Sequence, residues 1–137
     1  IIEGLVKIDI ENKENNKAIF SVEIDSLNMN YVKYKDLLLS SIFFDSLKYP
    51  IALLDTKKFL YKNEKILNLY VELTIKGITN NIPIEIEINH LAEELIQVKS
   101  KMKFSRKSFK IGSGKWSSTK ILNDKVTIKT NLFLFRK

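Results

Sequence analysis

An all-β fold built mainly of antiparallel strands is predicted by three observations. Apolar and polar residues alternate with period two through most of the chain. The runs that alternate are joined by short polar connections. One stretch alone switches to helical spacing. The chain has 137 residues, 45% apolar and 28% charged, which fits one domain over 1–137 by the usual prior of roughly 100–200 residues. Such a chain buries roughly two-thirds of its unfolded surface and needs no disulfide or metal to fold.

The elements follow in order. Leu5–Glu11 sets Val6, Ile8 and Ile10 against Lys7, Asp9 and Glu11. Asn12–Lys17 is polar and reads as a turn. Ala18–Asp25 alternates again, with Phe20, Val22 and Ile24 on one face, so the two runs form a hairpin. Tyr31–Leu47 places Tyr34, Leu38 and Ile42 at i, i+4, i+8, which predicts one or two helical turns. Asn30 is placed to cap them, and Tyr49-Pro50 ends them, because the residue before proline avoids the helical region.

Strands then resume. Ile51–Tyr61 is one, with Lys62–Lys65 as its turn. Ile66–Ile75 aligns Leu67, Leu69, Val71, Leu73 and Ile75. Lys76–Thr79 turns on Gly77, where a positive φ costs nothing. Asn81–Asn89 aligns Ile82, Ile84, Ile86 and Ile88, and Pro83 marks a strand start or an edge. His90–Glu94 turns. Leu95–Ser105 directs Ile96, Val98, Met102 and Phe104 inward. Phe109–Asn123 reads as an irregular loop around Gly112 and Gly114, and Asp124–Phe135 is the last strand. Seven antiparallel strands with one apolar face each make a barrel or a sandwich. A small barrel so lined either packs solid or encloses an apolar ligand, and the pattern fits both.

Composition narrows the function. There is no cysteine and one histidine, which removes thiolate catalysis, cysteine-ligated metals and most histidine chemistry. No apolar run approaches the ~20 residues of a spanning helix. No signal-peptide pattern stands at the start of the sequence. Charge is uneven: Lys101–Lys137 carries 11 basic residues and one acid, Asp124, within a total of +7. That asymmetry fits either a solvated strand face or an anionic partner, namely nucleic acid, a membrane surface or a phosphorylated headgroup.

The sequence offers no catalytic constellation, and no metal or cofactor is expected. His90 lies in a polar turn beside Glu93 and Glu94. Glu85 and Glu87 alternate with Ile84 and Ile86 and form the wet side of a strand. Gly114-Lys115 lacks the spacing, the hydroxyl residue and the strand-to-helix context of a phosphate loop. Lys103, Phe104, Arg106, Lys107, Phe109, Lys110 and Trp116 mix cations with rings as a single-stranded nucleic-acid platform does. However, Phe104 falls on the apolar face, which makes nucleic acid the weaker reading.

Five features, in order, resemble a known family. Ser26–Pro50 resembles a Ser-Ile-x-Thr strand end followed by an Arg-Asp-x-His-Leu turn and a Phe-Phe-Asp-x-x-x-Tyr-Pro signature, here Phe43-Phe44-Asp45 to Tyr49-Pro50. Leu73–Ile86 resembles Leu-Thr-Ile-x-Gly-Val-Thr-x-x-Val. Phe104–Gly112 resembles Asn-Arg-x-x-Phe-Gly, Trp116 follows in the next loop, and Asn123–Phe135 resembles the closing strand. The chain is therefore similar to the YceI-like family of polyisoprenoid-binding proteins over nearly its whole length. It departs from the pattern at Lys35 (usually Arg), Leu38 (usually His) and Phe109-Lys110 (usually Phe-Gly).

The resemblance implies an antiparallel lipocalin-like β-barrel of eight strands with a short helical insertion. The family's opening strand has no counterpart here, so the expectation is a domain incomplete at its N-terminus, with a gap beside Leu5–Glu11. It also implies a non-enzymatic carrier of a long-chain isoprenoid or other amphipathic lipid, exported or periplasmic, and sometimes a homodimer. The expected lipid-binding residues are the apolar faces: Phe20, Val22, Ile24, Leu67, Leu69, Val71, Ile84, Ile86, Ile88, Val98, Met102, Phe104, Val126, Ile128 and Leu132. Leu38, Ile42 and Phe43 are expected to plug one end. Arg106 or Lys107 is the expected headgroup partner. The alternatives are a barrel without lipid serving as a structural or interaction module, or a basic surface that binds nucleic acid or an anionic membrane.

Overall fold

A computed structural model describes residues 2–7, 16–26, 32–62 and 64–135. Its strands are β1 (Ile2–Lys7), β2 (Lys17–Glu23), β3 (Ile51–Asp55), β4 (Ile66–Ile75), β5 (Ile78–Ala92), β6 (Leu95–Ser105) and β7 (Lys125–Phe135). They form one antiparallel sheet in chain order, β1 to β7, curled as a half-barrel. Every neighbour is the previous strand in sequence; β4, β5 and β6 return through tight turns, whereas β2–β3 and β6–β7 are joined by longer segments, one carrying α1 (Val32–Leu39) and the other the loop up to Asp124. The part of the expected first strand beyond Lys7, and the cap at Asn30, lie outside the described residues.

Register confirms the alternation. Leu69 faces Ile84, and Ile84 faces Met102, which in turn faces Ile128. One apolar stripe therefore crosses four strands on the same face. That inner face carries the core: Phe43, Val71, Leu73, Ile75, Ile82, Ile84, Met102, Phe104, Phe109 and Ile111.

Some elements differ from expectation. The strand expected over Ile51–Tyr61 stops at Asp55. The Lys57 amide donates to the Asp55 carboxylate at 2.8 Å, and Lys57 takes a positive φ of 55°, a side-chain-closed turn that competes with the ladder. Phe59 then only bridges to Asn16. The helix has the expected length of about two turns: α1 spans Val32–Leu39 and stops before Ile42. The Ser40 hydroxyl and amide both return to the Leu37 carbonyl, and a chain of turns carries the backbone to Tyr49. Leu47, at the end of the segment, is 99% exposed. His90 lies in β5, not in a turn, because the hairpin is tighter than its composition implies and turns at Glu93 and Glu94.

Ile24 leaves the strand for a 3-10 turn, Ile24–Ser26. Pro83 sits well inside β5, opposite Tyr70 of β4. It is tolerated because β6 pairs with β5 only from Ile84 onward, so on that side Pro83 stands at a local edge, where a missing N–H leaves no gap in the ladder.

Candidate functional site

The inner face divides into two zones along the strands. At one end, the turn between β4 and β5 meets the segment after α1 and the loop between β6 and β7. There the face is packed solid. Val71, Leu73, Ile75, Ile82, Ile84, Met102 and Phe104 are each no more than 7% exposed, and Phe43, Phe109 and Ile111 are laid over them. Phe109 is fully buried and meets Phe104 edge-on at 5.1 Å between ring centres. Phe43 meets Trp116 at 5.7 Å. Leu38 and Ile42 pack against the same cluster. The side chains laid over this end come from Phe43 after α1 and, for the larger part, from the β6–β7 loop.

At the other end the same stripe is only half-covered. Phe20, Val22, Val126 and Ile128 are intermediate in burial although register sets them level with the solid zone, Val126 facing Phe104 and Ile128 facing Met102; toward the open end Leu67, Leu69, Ile86, Ile88, Val98 and Leu132 are intermediate. Those toward the open end form an apolar trough closed at one end. From Met102 to Ile96 it runs about 20 Å, at ~3.4 Å per residue. Of the expected lining, Phe43, Val71, Ile84, Met102 and Phe104 belong to the solid zone, Phe20, Val22, Val126 and Ile128 lie level with it, and Leu67, Leu69, Ile86, Ile88, Val98 and Leu132 make the trough. Ile24 lies in the turn beyond the end of β2.

The trough also contains residues the pattern did not single out. Ser100 and Thr130 face inward between apolar neighbours, and their hydroxyls hydrogen-bond to each other. They are a polar pair on an otherwise apolar floor. The signal was in the sequence: both occupy inward positions of otherwise regular alternation.

Arg106 requires a correction. Expected as a headgroup partner at the surface, it is 2% exposed. Its Nε donates to the Asn123 carbonyl at 3.0 Å, Nη1 to Ile111 at 3.0 Å, and Nη2 to Leu122 at 2.8 Å and Ser118 at 3.4 Å. The guanidinium fork is occupied by main-chain carbonyls and ties the whole β6–β7 loop into the plug. Lys107 is exposed beside it.

Two glycines show how tightly this end is closed. A Cβ on Gly77 (φ +74°) would lie 2.7 Å from the Tyr49 ring, and one on Gly112 (φ +86°) would lie 2.6 Å from Arg106 Nη1. Because the carbonyls hold the guanidinium, it has nowhere to retreat. Gly112→Ala is expected to cost more than about 1 kcal/mol in urea unfolding; a neutral result would mean that the loop shifts freely. Lys76, in the turn beside Gly77, donates its ammonium to the Ser41 and Lys110 carbonyls at 2.8 and 2.9 Å. Burial pushes its pKa below the usual lysine range, against the pull of Asp45.

Asp124 borders the loop. The Ser105 hydroxyl, at 2.8 Å, holds its carboxyl below the ordinary 3.8, opposed by slight burial and helped by the Lys107 amide and the charges of Lys107 and Arg106. A depressed folded value means the contribution is complete above the unfolded pKa and is lost as pH falls through the folded one. Asp124→Asn is therefore expected to flatten the acid side of the stability–pH curve below about pH 4, measured by unfolding at stepped pH. An unchanged slope would show that the carboxylate contributes nothing.

Comparison with known proteins fits this geometry. The model of the family described as YceI-like domain matches residues 1–134. No curated protein matches in sequence. Among solved structures, Burkholderia cenocepacia BcnA superposes with a TM-score of 0.88 at 22% identity, over 97% of this chain and 83% of that one. A Campylobacter jejuni YceI protein gives 0.87 at 23%, over 100% and 82%. A polyisoprenoid binding domain from Saccharophagus degradans, implicated in plant cell wall breakdown, gives 0.69 at 13%, over 88% and 77%. At these identities the likeness establishes the fold.

Proposed function

This chain belongs to the YceI-like domain family, and on that premise we propose that it binds a long-chain isoprenoid or similar amphipathic lipid along the inner face of its sheet, without catalysing a reaction on it. The observation that carries this reading is the half-covered stripe of Leu67, Leu69, Ile86, Ile88, Val98 and Leu132, continuing from a sealed end. Apolar side chains left half in water gain from any hydrocarbon laid over them. Each buried methylene contributes about 0.8 kcal/mol. Large ligands realise only ~0.3 kcal/mol per heavy atom, so a chain of roughly 30 heavy atoms is needed for about 9 kcal/mol, near micromolar affinity or better. A trough about 20 Å long holds part of such a chain, the rest passing out of its open end. The Ser100–Thr130 pair is the one polar anchor this reading places on the floor, within hydrogen-bonding reach of a hydroxyl or ester on the ligand. Likeness of fold to a polyisoprenoid binding domain supports the same ligand class, and the family supports an exported, periplasmic setting.

Mass spectrometry of organic extracts from the purified protein is the direct test. A co-purifying lipid with a long hydrocarbon chain is expected. Ile86→Asp with Val98→Asp would put carboxylates on the floor and cut retained lipid at least tenfold, from the roughly 1–3 kcal/mol cost of each unpartnered polar group. Glu85→Ser on the outer face should leave retention unchanged. A lipid-free extract from protein that also fails to take up added isoprenoid would sink the proposal.

A further inference from the structure

The outer face of β6 and β7 is built differently from the rest of the sheet, and the difference is graded along the strands. Register pairs Leu95 with Phe135, Gln97 with Phe133, Lys99 with Asn131, Lys101 with Lys129, and Lys103 with Thr127. At the trough's open end this face carries exposed apolar side chains, Phe133 at 51%, Phe135 at 73% and Leu91 in the adjoining hairpin at 53%, with Glu93 and Glu94 exposed at that hairpin's tip. Next comes an amide belt, in which Asn89 donates to Gln97 and Gln97 donates to Asn131 at 3.0 Å. Beyond it stand Lys99, Lys101, Lys103, Lys125 and Lys129, all exposed. No acid occurs anywhere in β7. Glu85 and Glu87 face Lys101 and Lys99 from β5, but among the described residues the ion pairs join Lys57 to Asp55 and Glu72, not these.

This arrangement carries two intramolecular costs. Two exposed phenylalanines lie in water on one short stretch. Lys101 and Lys129 stand directly opposite each other, where like charges repel. One partner relieves both. We propose that this face docks on an anionic lipid bilayer, with Phe133, Phe135 and Leu95 sunk at the interface and the lysines over the headgroups. The order of ring, amide and ammonium along the strands matches the passage from acyl boundary to charged surface. A nucleic-acid platform instead interleaves rings with cations so that successive bases can stack. A second copy paired along β7 would gather two lysine sets on one side. Docking would also bring the trough's open mouth, between Ile96 and Leu134, to the membrane. The inference goes beyond the lipid-binding reading and does not depend on it.

The test is co-sedimentation with vesicles of phosphatidylcholine alone, or with one third phosphatidylglycerol, at roughly 0.1 M salt. Binding is expected only to the anionic vesicles and should fall as salt rises. Lys101→Ala with Lys129→Ala should weaken it about 25-fold, from roughly fivefold per lysine. Phe135→Trp should shift its emission to the blue on anionic vesicles, while the native Trp116, at the far end, stays unmoved. Equal binding to both vesicles, wild-type binding by the lysine variant, or an unshifted Phe135→Trp would overturn the proposal. So would a dimer that Phe133→Ser with Phe135→Ser dissolves, or an oligonucleotide that displaces the vesicles; these would give the face to a second copy or to nucleic acid. A vesicle result leaves the lipid-extract test untouched, so the two readings fail separately.

Discussion

Replacing Arg106 by Met is expected to destabilise the protein by about 3–5 kcal/mol, the range seen when one partner of a buried charged arrangement is removed. Methionine fills the volume but donates nothing. The carbonyls of Ile111, Ser118, Leu122 and Asn123 would then face a buried site without donors, at about 1–3 kcal/mol for each that cannot reach water. Against a total of about 5–15 kcal/mol, that is a large share of the fold's stability. Arg106→Lys should recover little. An ammonium offers three donors from one atom, whereas these carbonyls surround a planar fork from several sides. Urea unfolding of the two variants measures both effects. A loss below 1 kcal/mol, or full rescue by lysine, would show that the loop holds itself.

Phe109→Ala should rank with it, at about 3–5 kcal/mol for a fully buried aromatic. The effect reaches beyond stability. Phe109 lies edge-on to Phe104 and roofs the solid zone, so its loss leaves a cavity where the trough now ends. Retained lipid should then shift toward longer or bulkier chains, read from the same extracts, while the protein unfolds at lower urea. Destabilisation with no change in the lipid profile would mean that the plug does not set the depth of the trough.

The motif residues that resemble the family converge on this closed end. Phe43, Tyr49, Gly77, Arg106, Gly112 and Trp116 come from three separate segments and meet at one packed end. Period two showed which face of each strand was apolar, and the register agrees from Leu67 through Ile128. It could not show that Ile84 is core while Ile86, two residues on and on the same face, is trough. Alternation has no term for what lies above a side chain. Arg106 was misplaced for the same reason. A basic residue in a basic segment reads as exposed, and its burial depends on four carbonyls that arrive only when the loop up to Asn123 folds back over it. His90 and Asp55 erred at element ends, where a turn hydrogen bond or a tight hairpin decides the boundary.

Local chemistry along the chain was enough to determine the strands, their hairpin order and their oily side. Those properties arise between residues two apart or across short turns, and side-chain polarity decides them. Where the inner face is sealed and where it lies open was decided only in three dimensions. Sealing needs α1, the chain after it and the β6–β7 loop to arrive at one end together, and the free energy of that meeting belongs to contacts between residues far apart in sequence.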